Sequence, residues 1–230
     1  IAGEASGDLH GSKLVYALKT RLPKARFTGM GGTRMQEAGV DTLFGIERMG
    51  AVGIVEVLGD FDHYYKVYRT LMREIASRRY DAVILIDYPT LNLRLAKQGK
   101  RFNCPVFYFI SPQVWAWRKG RIRDIRDSVN KMFVILPFEE KMYLDAGVDA
   151  EFLGHPFVDL VYPSRTREES REKYSLNSAI KTIGLVPGSR TNEVNSLLDV
   201  MIQAAQKIYS ELGSCQFLLP VAESIDPDMV

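Results

Sequence analysis

Short apolar runs rich in valine, isoleucine and phenylalanine alternate along this chain with longer amphipathic stretches. Several of the runs are apolar almost throughout, which is typical of parallel strands that are covered on both faces. The pattern predicts strands over residues 26–30, 82–86, 105–110, 131–136, 181–186 and 215–220.

Helical spacing of apolar residues fills several of the intervals between these strands. It predicts helices over residues 11–21, 91–101, 138–146 and 192–212, the last of which stops before Gly213. Strands that alternate with helices imply right-handed crossover connections and parallel pairing. The predicted fold class is therefore α/β, with Rossmann-like, doubly wound parallel sheets.

A change in composition divides the chain. Residues 161–180 are polar and strongly charged, which predicts a linker followed by a short surface helix, and a new β-loop-α unit opens at Thr182. We predict one α/β domain over residues 1–160 and the first part of a second domain over residues 181–230. We also expect that the first strand is clipped and that the second domain is unfinished.

Composition narrows the function classes. The chain has 230 residues, of which 46% are hydrophobic and 25% charged, as in ordinary globular proteins. Its 30 basic and 28 acidic residues leave a net charge of only +2, which argues against a nucleic-acid binder. Cys104 and Cys215 lie in or beside apolar runs without metal-binding or redox spacing. We expect two buried free thiols in a reducing cytosol.

The segment at 3–11, Gly-Glu-Ala-Ser-Gly-Asp-Leu-His-Gly, repeats glycine every four residues between a strand and a helix. Glycine lets a backbone approach a ligand closely, and the N-terminus of a helix offers unpaired N–H groups to an anion or a sugar hydroxyl. A tight turn that happens to be glycine-rich explains the pattern equally well. The Gly-Lys-Ser/Thr ending of a P-loop is absent from the segment.

A second glycine segment, Val-Pro-Gly-Ser-Arg at 186–190, opens the longest predicted helix. Arg190 has the chemistry to neutralise a diphosphate at the helix N-terminus, and Glu193 in the first turn favours the helix dipole. A turn with a solvated arginine is the alternative. Two such segments, one in each predicted domain, favour a ligand cleft at the carboxyl ends of the strands, between two nucleotide-fold halves.

Asp87 ends the apolar strand at 82–86, where a carboxylate lies at the mouth of a parallel sheet. Partial burial there would raise its pKa and suit it to general-base chemistry. Aspartate is also a common N-cap, and a helix is predicted to begin near Leu91. Position alone leaves both interpretations open.

Two aromatic segments suit an amphipathic or sugar-containing ligand. Trp115 and Trp117 lie in Ser-Pro-Gln-Val-Trp-Ala-Trp-Arg at 111–118, ahead of a basic run, and residues 49–70 are apolar and glycine-rich, then aromatic and basic. Such segments stack on sugars, grip acyl chains or lie on anionic lipid. Core packing, and for 49–70 a buried helix with an aromatic exit, are the alternatives.

The three histidines, His10, His63 and His155, are scattered, so we expect no metal cluster. His155, in Gly-His-Pro at 154–156, lies just before the predicted boundary, where a histidine is structural as often as catalytic. A serine hydrolase is disfavoured because the chain has no Gly-x-Ser-x-Gly elbow.

Taken in order, six motifs resemble those of the lipid-A-disaccharide synthase family, and the resemblance covers almost the whole chain. They are Gly-Glu-Ala-Ser-Gly-Asp at 3–8, Met-Gly-Ala-Val-Gly-Ile-Val-Glu-Val-Leu-Gly at 49–59, Ser-Pro-Gln-Val-Trp-Ala-Trp-Arg at 111–118, Leu-Pro-Phe-Glu at 136–139, Gly-His-Pro at 154–156 and Pro-Gly-Ser-Arg at 187–190. Each motif alone is weak, whereas the ordered series is specific.

The resemblance implies a GT-B glycosyltransferase, with an acceptor-binding domain over residues 1–160 and a UDP-sugar donor domain that begins at 181. It implies an inverting transfer from UDP-2,3-diacylglucosamine to 2,3-diacylglucosamine 1-phosphate, which gives a β-1,6-linked disaccharide phosphate and UDP in lipid A biosynthesis. The UDP-sugar is a substrate, and the family works without a cofactor or a bound metal ion. A cytoplasmic enzyme, peripheral on the inner membrane and in contact with its lipids, is implied as well, with homo-oligomerisation left open.

The resemblance also assigns residues. Asp87 becomes the candidate base that deprotonates the acceptor hydroxyl, and Arg190 becomes a donor-site residue on the UDP diphosphate, together with Gly188, Ser189 and Glu193. The residues expected at the acceptor or lining the cleft are Gly3, Glu4, Ser6, Gly7, Asp8, Asn92, Ser111, Gln113, Trp115, Trp117 and His155.

Two departures limit this transfer of roles. Many members continue the aspartate motif with Pro-Asp-Phe-Asn, whereas this chain has Thr90 in place of the second acid. The later donor-site motifs have no counterpart in these 230 residues. Two alternatives stay open: a UDP-sugar 2-epimerase of the same fold, against which the Trp-Ala-Trp and 49–59 motifs argue, and a non-catalytic binder of a lipid or sugar nucleotide.

Overall fold

The computed structural model describes residues 1–46, 49, 61–115, 120–222 and 225–229. Two compact units are present, Ile1–Val161 and Tyr162–Val230, and each is considered by itself. Most of the motif at 49–59, and Trp117, lie outside the described residues. Among the residues that are described, no helix combines the length and the apolar character that crossing a membrane requires.

The first unit alternates parallel strands with helices. Its strands are β1 Phe27–Met30, β2 Val40–Phe44, β3 Val83–Ile86, β4 Val106–Phe109, β5 Lys131–Val134 and β6 Ala150–Phe152. Its helices are α1 Ala5–Arg21, α2 Thr33–Glu37, α3 Phe61–Ala76, α4 Pro89–Arg101, α5 Arg121–Ser128, α6 Pro137–Asp145 and α7 Phe157–Leu160.

The second unit is a smaller β-α-β arrangement preceded by a helix. Its elements are α8 Arg167–Lys173, β7 Lys181–Gly184, α9 Thr191–Leu212, β8 Cys215–Leu218 and a 3-10 helix, Pro227–Met229. Strands β7 and β8 pair in parallel, with Lys181 opposite Cys215. A helix between two parallel strands is the crossover that the sequence pattern predicts.

The extended residues Ile1 and Ala2 join two groups of strands in the first unit. Strands β3, β4, β5 and β6 pair in that order, and β1 pairs with β2, all in parallel. The Ala2 N–H donates to Met30 O at 2.9 Å, and the Ile86 N–H donates to Ile1 O at 2.9 Å. The strand order is therefore β2-β1-(1–2)-β3-β4-β5-β6, and it reverses direction between residues 1–2 and β3. Such a reversal is the topological switch point of a doubly wound sheet.

Strand β3 is buried on both faces, which explains its apolar composition. Val83 and Leu85 pack in one hydrophobic cluster, and Ile86 packs in another. Successive side chains of a strand point to opposite faces, so the two clusters lie on opposite sides of the sheet. Burying a leucine or isoleucine side chain contributes roughly 1.5–3 kcal/mol. The buried side chains of β3 therefore help to stabilise the first unit.

Helix α3 is amphipathic. Tyr64, Val67, Leu71 and Ile75 are buried, and their spacing places them on one face. The opposite face is exposed and carries aromatic and basic residues, which are Tyr65, Lys66, Arg69 and Arg73. The C-terminal part of the aromatic-basic segment predicted at 49–70 is thus a half-buried helix rather than a fully buried one.

The α/β fold class and all six predicted strands are confirmed, each strand bound lying within two residues of its prediction. The start of the first helix was wrong, since α1 begins at Ala5 instead of residue 11. Strands β2 and β6 were not predicted, because both are edge strands in which charged or polar residues interrupt the apolar run. Cys104 and Cys215 are buried and free, as expected.

Candidate functional site

The predicted base lies at the switch point. Asp87 directly follows β3, and Gly3 directly follows the neighbouring extended residues 1–2, so both leave the sheet at its carboxyl edge. In α/β proteins, ligands bind outside this edge at the point where the strand order reverses. The side chain of Asp87 is half-buried.

The backbone at this point is strained. Asp87 and Tyr88 have φ angles of +45° and +46°, and Ile110, after the next strand, has a φ of +66°. A left-handed conformation costs a non-glycine residue roughly 1–2 kcal/mol. Strained residues of this kind persist where the surrounding structure holds them, and they cluster at functional sites.

The N-cap interpretation of Asp87 was wrong. Helix α4 begins at Pro89, its N-cap residue is Tyr88, and no side chain makes a capping hydrogen bond there. The Tyr88 hydroxyl instead donates to Met49 O at 3.1 Å, and burial raises the pKa of Tyr88 to about 12. Tyr88 therefore keeps its proton and ties the strained turn to the chain at residue 49.

Asn92 is fully buried, and its side chain donates hydrogen bonds to the backbone at the switch point. Its side-chain amide nitrogen donates to Asp87 O at 2.8 Å, to Ile86 O at 3.1 Å and to Ile1 O at 3.4 Å. Ile1 and Ile86 belong to the two strands that flank the reversal, and Asp87 directly follows β3. Asn92 was predicted as a cleft-lining residue, and its contacts give it the task of joining those strands.

The glycines of the first motif allow close packing. A Cβ on Gly3 would lie 2.3 Å from the ring of Tyr88, and one on Gly7 would lie 3.1 Å from the Cβ of Ala2. Gly7 and Gly11 belong to α1, so most of the predicted loop is helix. Only Gly3 and Glu4, the N-cap residue of α1, precede the helix. Ser6 is exposed in the first turn.

Asp8 is buried and caps a different helix. Its carboxylate accepts hydrogen bonds from the backbone N–H groups of Gly32 at 2.8 Å, Met35 at 3.0 Å and Arg34 at 3.1 Å. These groups form the N-terminus of α2, where unpaired N–H groups need acceptors. Asp8 thus attaches α1 to α2, a role that the motif at 3–8 did not reveal.

The motif at 111–118 begins at the end of β4. The Ser111 side chain is buried, and its hydroxyl oxygen has no hydrogen-bond partner among the described residues. Gln113 is exposed, and Trp115 is 39% exposed. The Tyr143 hydroxyl donates to Pro112 O at 3.1 Å and anchors this turn on α6.

Glu139, in the Leu-Pro-Phe-Glu motif at 136–139, contacts one of the predicted site residues. It is 1% exposed, its Oε1 accepts from the Trp115 indole N–H at 3.2 Å, and its Oε2 accepts from the Leu136 N–H at 3.3 Å. Trp115 also meets Phe138 edge to face, with ring centroids 5.2 Å apart. A buried carboxylate thus holds the edge of an indole whose ring is partly open to solvent.

His10 and His155 meet around Phe157. The ring centroid of Phe157 lies 5.6 Å from that of His10 and 5.1 Å from that of His155. The His155 Nδ1 accepts from the Phe157 N–H at 3.2 Å. Burial lowers the pKa of His10, and the charge of His155 lowers it further. The segment after β6 therefore packs against α1 through Phe157 and His10. No sequence pattern indicated this contact.

In the second unit, the predicted donor residues form one connected turn. The Glu193 Oε2 accepts from the backbone N–H groups of Ser189 at 3.0 Å and Arg190 at 3.1 Å, and its Oε1 lies 3.2 Å from Arg190 Nη1. The Ser189 N–H, followed by that of Arg190, holds the pKa of Glu193 below its usual range. Gly188 has a φ of +124°, and a Cβ there would meet Glu193 at 2.4 Å.

Five of the predicted residues therefore lie at or beside the switch point of the first unit, and the predicted donor residues form one turn within the second unit. No described group of three or more histidine, cysteine, aspartate or glutamate side chains is arranged to hold a metal ion. The residues grouped at the carboxyl edge are Gly3, Glu4, Asp87, Asn92 and Ser111.

Comparison with known proteins gives a consistent family. A family model described as Lipid-A-disaccharide synthetase matches residues 1–228. Among curated relatives, the Lipid-A-disaccharide synthase of Syntrophus aciditrophicus (strain SB) is 47% identical over 226 residues, or 98% of this chain and 59% of the relative. That of Geobacter metallireducens (strain ATCC 53774 / DSM 7210 / GS-15) is 45% identical over 98% of this chain and 59% of the relative. That of Coxiella burnetii (strain Dugway 5J108-111) is 40% identical over the whole chain and 61% of the relative.

This chain thus spans about three fifths of the length of these relatives. The family match favours the disaccharide synthase interpretation over the epimerase alternative.

We predict that Asp8→Ala lowers the free energy of unfolding by about 1–3 kcal/mol, because it leaves three N–H groups of α2 without their acceptor. Asp8→Asn should cost less, since one oxygen accepts from both Gly32 and Met35. Urea denaturation measures both, and Asp41→Ala, at an exposed position of β2, is the matched control. Equal stability of Asp8→Ala and the parent chain would contradict the capping role.

We also predict that the free energy of unfolding decreases as the pH is lowered below about 6.5, the ordinary pKa of histidine. Burial lowers the folded-state pKa of His10, so the fold favours the neutral ring and protonation favours the unfolded chain. Denaturation between pH 7.5 and 5 should show a shallower pH dependence for His10→Gln. The same substitution at His63, which packs on Phe44, is the control, and an unchanged slope in His10→Gln would refute the assignment.

Proposed function

Because this chain belongs to the lipid-A-disaccharide synthase family, we propose that it forms the acceptor-binding part and the first donor-binding part of an inverting glycosyltransferase. The reaction transfers a diacylglucosamine from its UDP derivative to 2,3-diacylglucosamine 1-phosphate, giving a disaccharide 1-phosphate and UDP. The observation that carries this proposal is Asp87, half-buried in a strained turn at the switch point of the first unit.

Asp87 acts as the general base. A carboxylate at the carboxyl edge of the sheet can accept the proton of the acceptor hydroxyl as that oxygen attacks the anomeric carbon of the donor. One base suffices for an inverting transfer, because the attacking oxygen enters opposite to the leaving diphosphate. Rigid strands on both sides of Asp87 support this role, because a base must be held within hydrogen-bond reach of its proton.

The turn at residues 188–190 binds the UDP diphosphate. Arg190 supplies a guanidinium, and the N-terminus of α9 supplies backbone N–H groups and the positive end of the helix dipole. Glu193 now accepts two of those N–H groups, so a carboxylate already occupies part of the place that the proposal gives to phosphate oxygens. Neutralisation by Arg190 and the helix would stabilise the leaving group without a metal ion or another cofactor.

The first unit lies on the cytoplasmic surface of the inner membrane, where acylated substrates are found. The exposed face of α3 supports this proposal, since Lys66 and Arg69 attract anionic headgroups and the Arg69 guanidinium lies 5.5 Å from the centre of the Tyr65 ring. A lysine or arginine near an anionic surface contributes about 1 kcal/mol of binding. Trp115 and Phe138 offer an exposed aromatic pair for an acylated sugar.

We expect Asp87→Asn to reduce kcat by roughly 10²–10⁴-fold, because the amide cannot take up the proton. The complete protein is incubated with both diacylated substrates, and UDP release is followed. Asp81→Asn is the matched control, since Asp81 is exposed just ahead of the amino end of β3. Normal turnover of Asp87→Asn would remove the base assignment.

The same assay separates the alternatives. UDP release that depends on the acylated acceptor supports the transferase. An epimerised UDP-sugar formed without an acceptor would indicate the epimerase, and binding without turnover would indicate a non-catalytic protein.

We expect the double charge reversal Lys66→Glu with Arg69→Glu to weaken flotation with vesicles that contain phosphatidylglycerol. Two lost attractions of about 1 kcal/mol each, replaced by repulsion, should reduce the bound fraction at least tenfold. Added salt should reduce binding of the parent protein in the same direction. The control reverses Arg21, the last residue of α1, and Lys24 in the turn that follows it, both of which are exposed. Equal flotation of both double variants would contradict a membrane contact through α3.

A further inference from the structure

A buried hydroxyl lies directly beneath the proposed base. Tyr108, in the middle of β4, is 0% exposed, and its hydroxyl donates to Asp87 O at 2.6 Å. The side-chain amide of Asn92 donates to the same carbonyl at 2.8 Å. One carbonyl of the strained turn thus receives two hydrogen bonds from groups that solvent does not reach.

The backbone N–H of Asp87 is also bonded to β4. The Asp87 N–H donates to Phe109 O at 3.1 Å, so residues 108 and 109 hold the residue through both of its peptide groups. A non-glycine residue at a φ of +45° relaxes to a commoner conformation unless its surroundings prevent it. The contacts with β4 supply that restraint.

The Tyr108 hydroxyl stays protonated and can therefore act as a hydrogen-bond donor. Burial raises the pKa of Tyr108 well above its usual range, and the negative charge of Asp87 raises it further. The hydroxyl therefore keeps its proton near neutral pH and can donate to Asp87 O. A tyrosine that merely filled the core could be replaced by phenylalanine without consequence for the turn above it.

We propose that Tyr108 is a positioning residue for the reaction, whose hydroxyl holds Asp87 in its left-handed backbone conformation and so fixes where the carboxylate leaves the sheet. This inference rests on the proposed function, in which Asp87 is the base. It concerns the backbone of the base and not its ionisation. A displacement of the base by about 1 Å is enough to cost roughly 10²-fold in rate, so loss of one restraint should be visible in kcat.

The kinetic test is Tyr108→Phe in the complete protein, with KM and kcat measured for both substrates. We expect kcat to fall at least tenfold while each KM stays within about twofold, because Tyr108 is buried and reaches the substrates only through Asp87. The matched control is Tyr80→Phe, which removes a hydroxyl hydrogen bond to Glu74 of 2.7 Å ahead of the amino end of β3. Thermal melting of both variants establishes that they are folded.

A second measurement does not depend on activity. Hydrogen exchange of the Asp87 amide should become at least tenfold faster in Tyr108→Phe and should stay unchanged in Tyr80→Phe. An unchanged Asp87 amide in Tyr108→Phe overturns the proposal, whatever the kinetics show.

Comparison with Asp87→Asn separates this inference from the proposed function. If Asp87→Asn is inactive and Tyr108→Phe retains full kcat, the positioning role is refuted and the base assignment stands. If Asp87→Asn turns over normally, the base assignment has failed, and hydrogen exchange still decides whether Tyr108 restrains the turn.

Discussion

Parallel pairing of β3 with residues 1–2 on one side and with β4 on the other is the interaction on which the first unit depends. It joins the two groups of strands, buries both faces of β3 and creates the reversal of strand order at which Asp87 emerges. Asn92 reinforces the junction by donating to carbonyls from both flanking strands. Without that pairing, the carboxyl ends of the strands would not share one edge, and the candidate base would have no fixed surroundings.

The buried strands also hold several residues in strained backbone conformations. Asp87, Tyr88 and Ile110 all have positive φ angles, and all three follow the buried strands β3 and β4. The hydrogen bonds that hold Asp87 come from β4 and α4, which are among the most buried elements of the unit. Close packing of Gly3 on Tyr88 and of Gly7 on Ala2 lets helix α1 lie directly against this region.

Charged and polar groups are used mainly as connectors. Asp8 caps α2 from within α1, Glu139 holds the indole of Trp115, and Glu193 closes the turn at 188–190 on itself. Each carboxylate accepts from N–H groups, and for the buried Asp8 and Glu139 these bonds offset the cost of removing the charge from water. For Glu193, the contact satisfies two backbone N–H groups at the start of α9.

The amino-acid sequence by itself determined the α/β class, the six strands with the strongest apolar runs and the position of Asp87 at a strand end, because burial on both faces demands continuous apolar residues. It also determined the family, since an ordered series of short motifs is readable without coordinates. Only the tertiary structure decided the roles within the motifs: that Asp8 is a helix cap, that residues 5–11 are helix, that Asn92 joins two strands and that Tyr108 supports Asp87. These roles depend on contacts between residues that lie 21 or more positions apart in several cases, such as Tyr108 with Asp87 and Asp8 with Gly32. Local patterns report which face of an element is buried, whereas the partner of a polar group is set by how the strands are ordered in space.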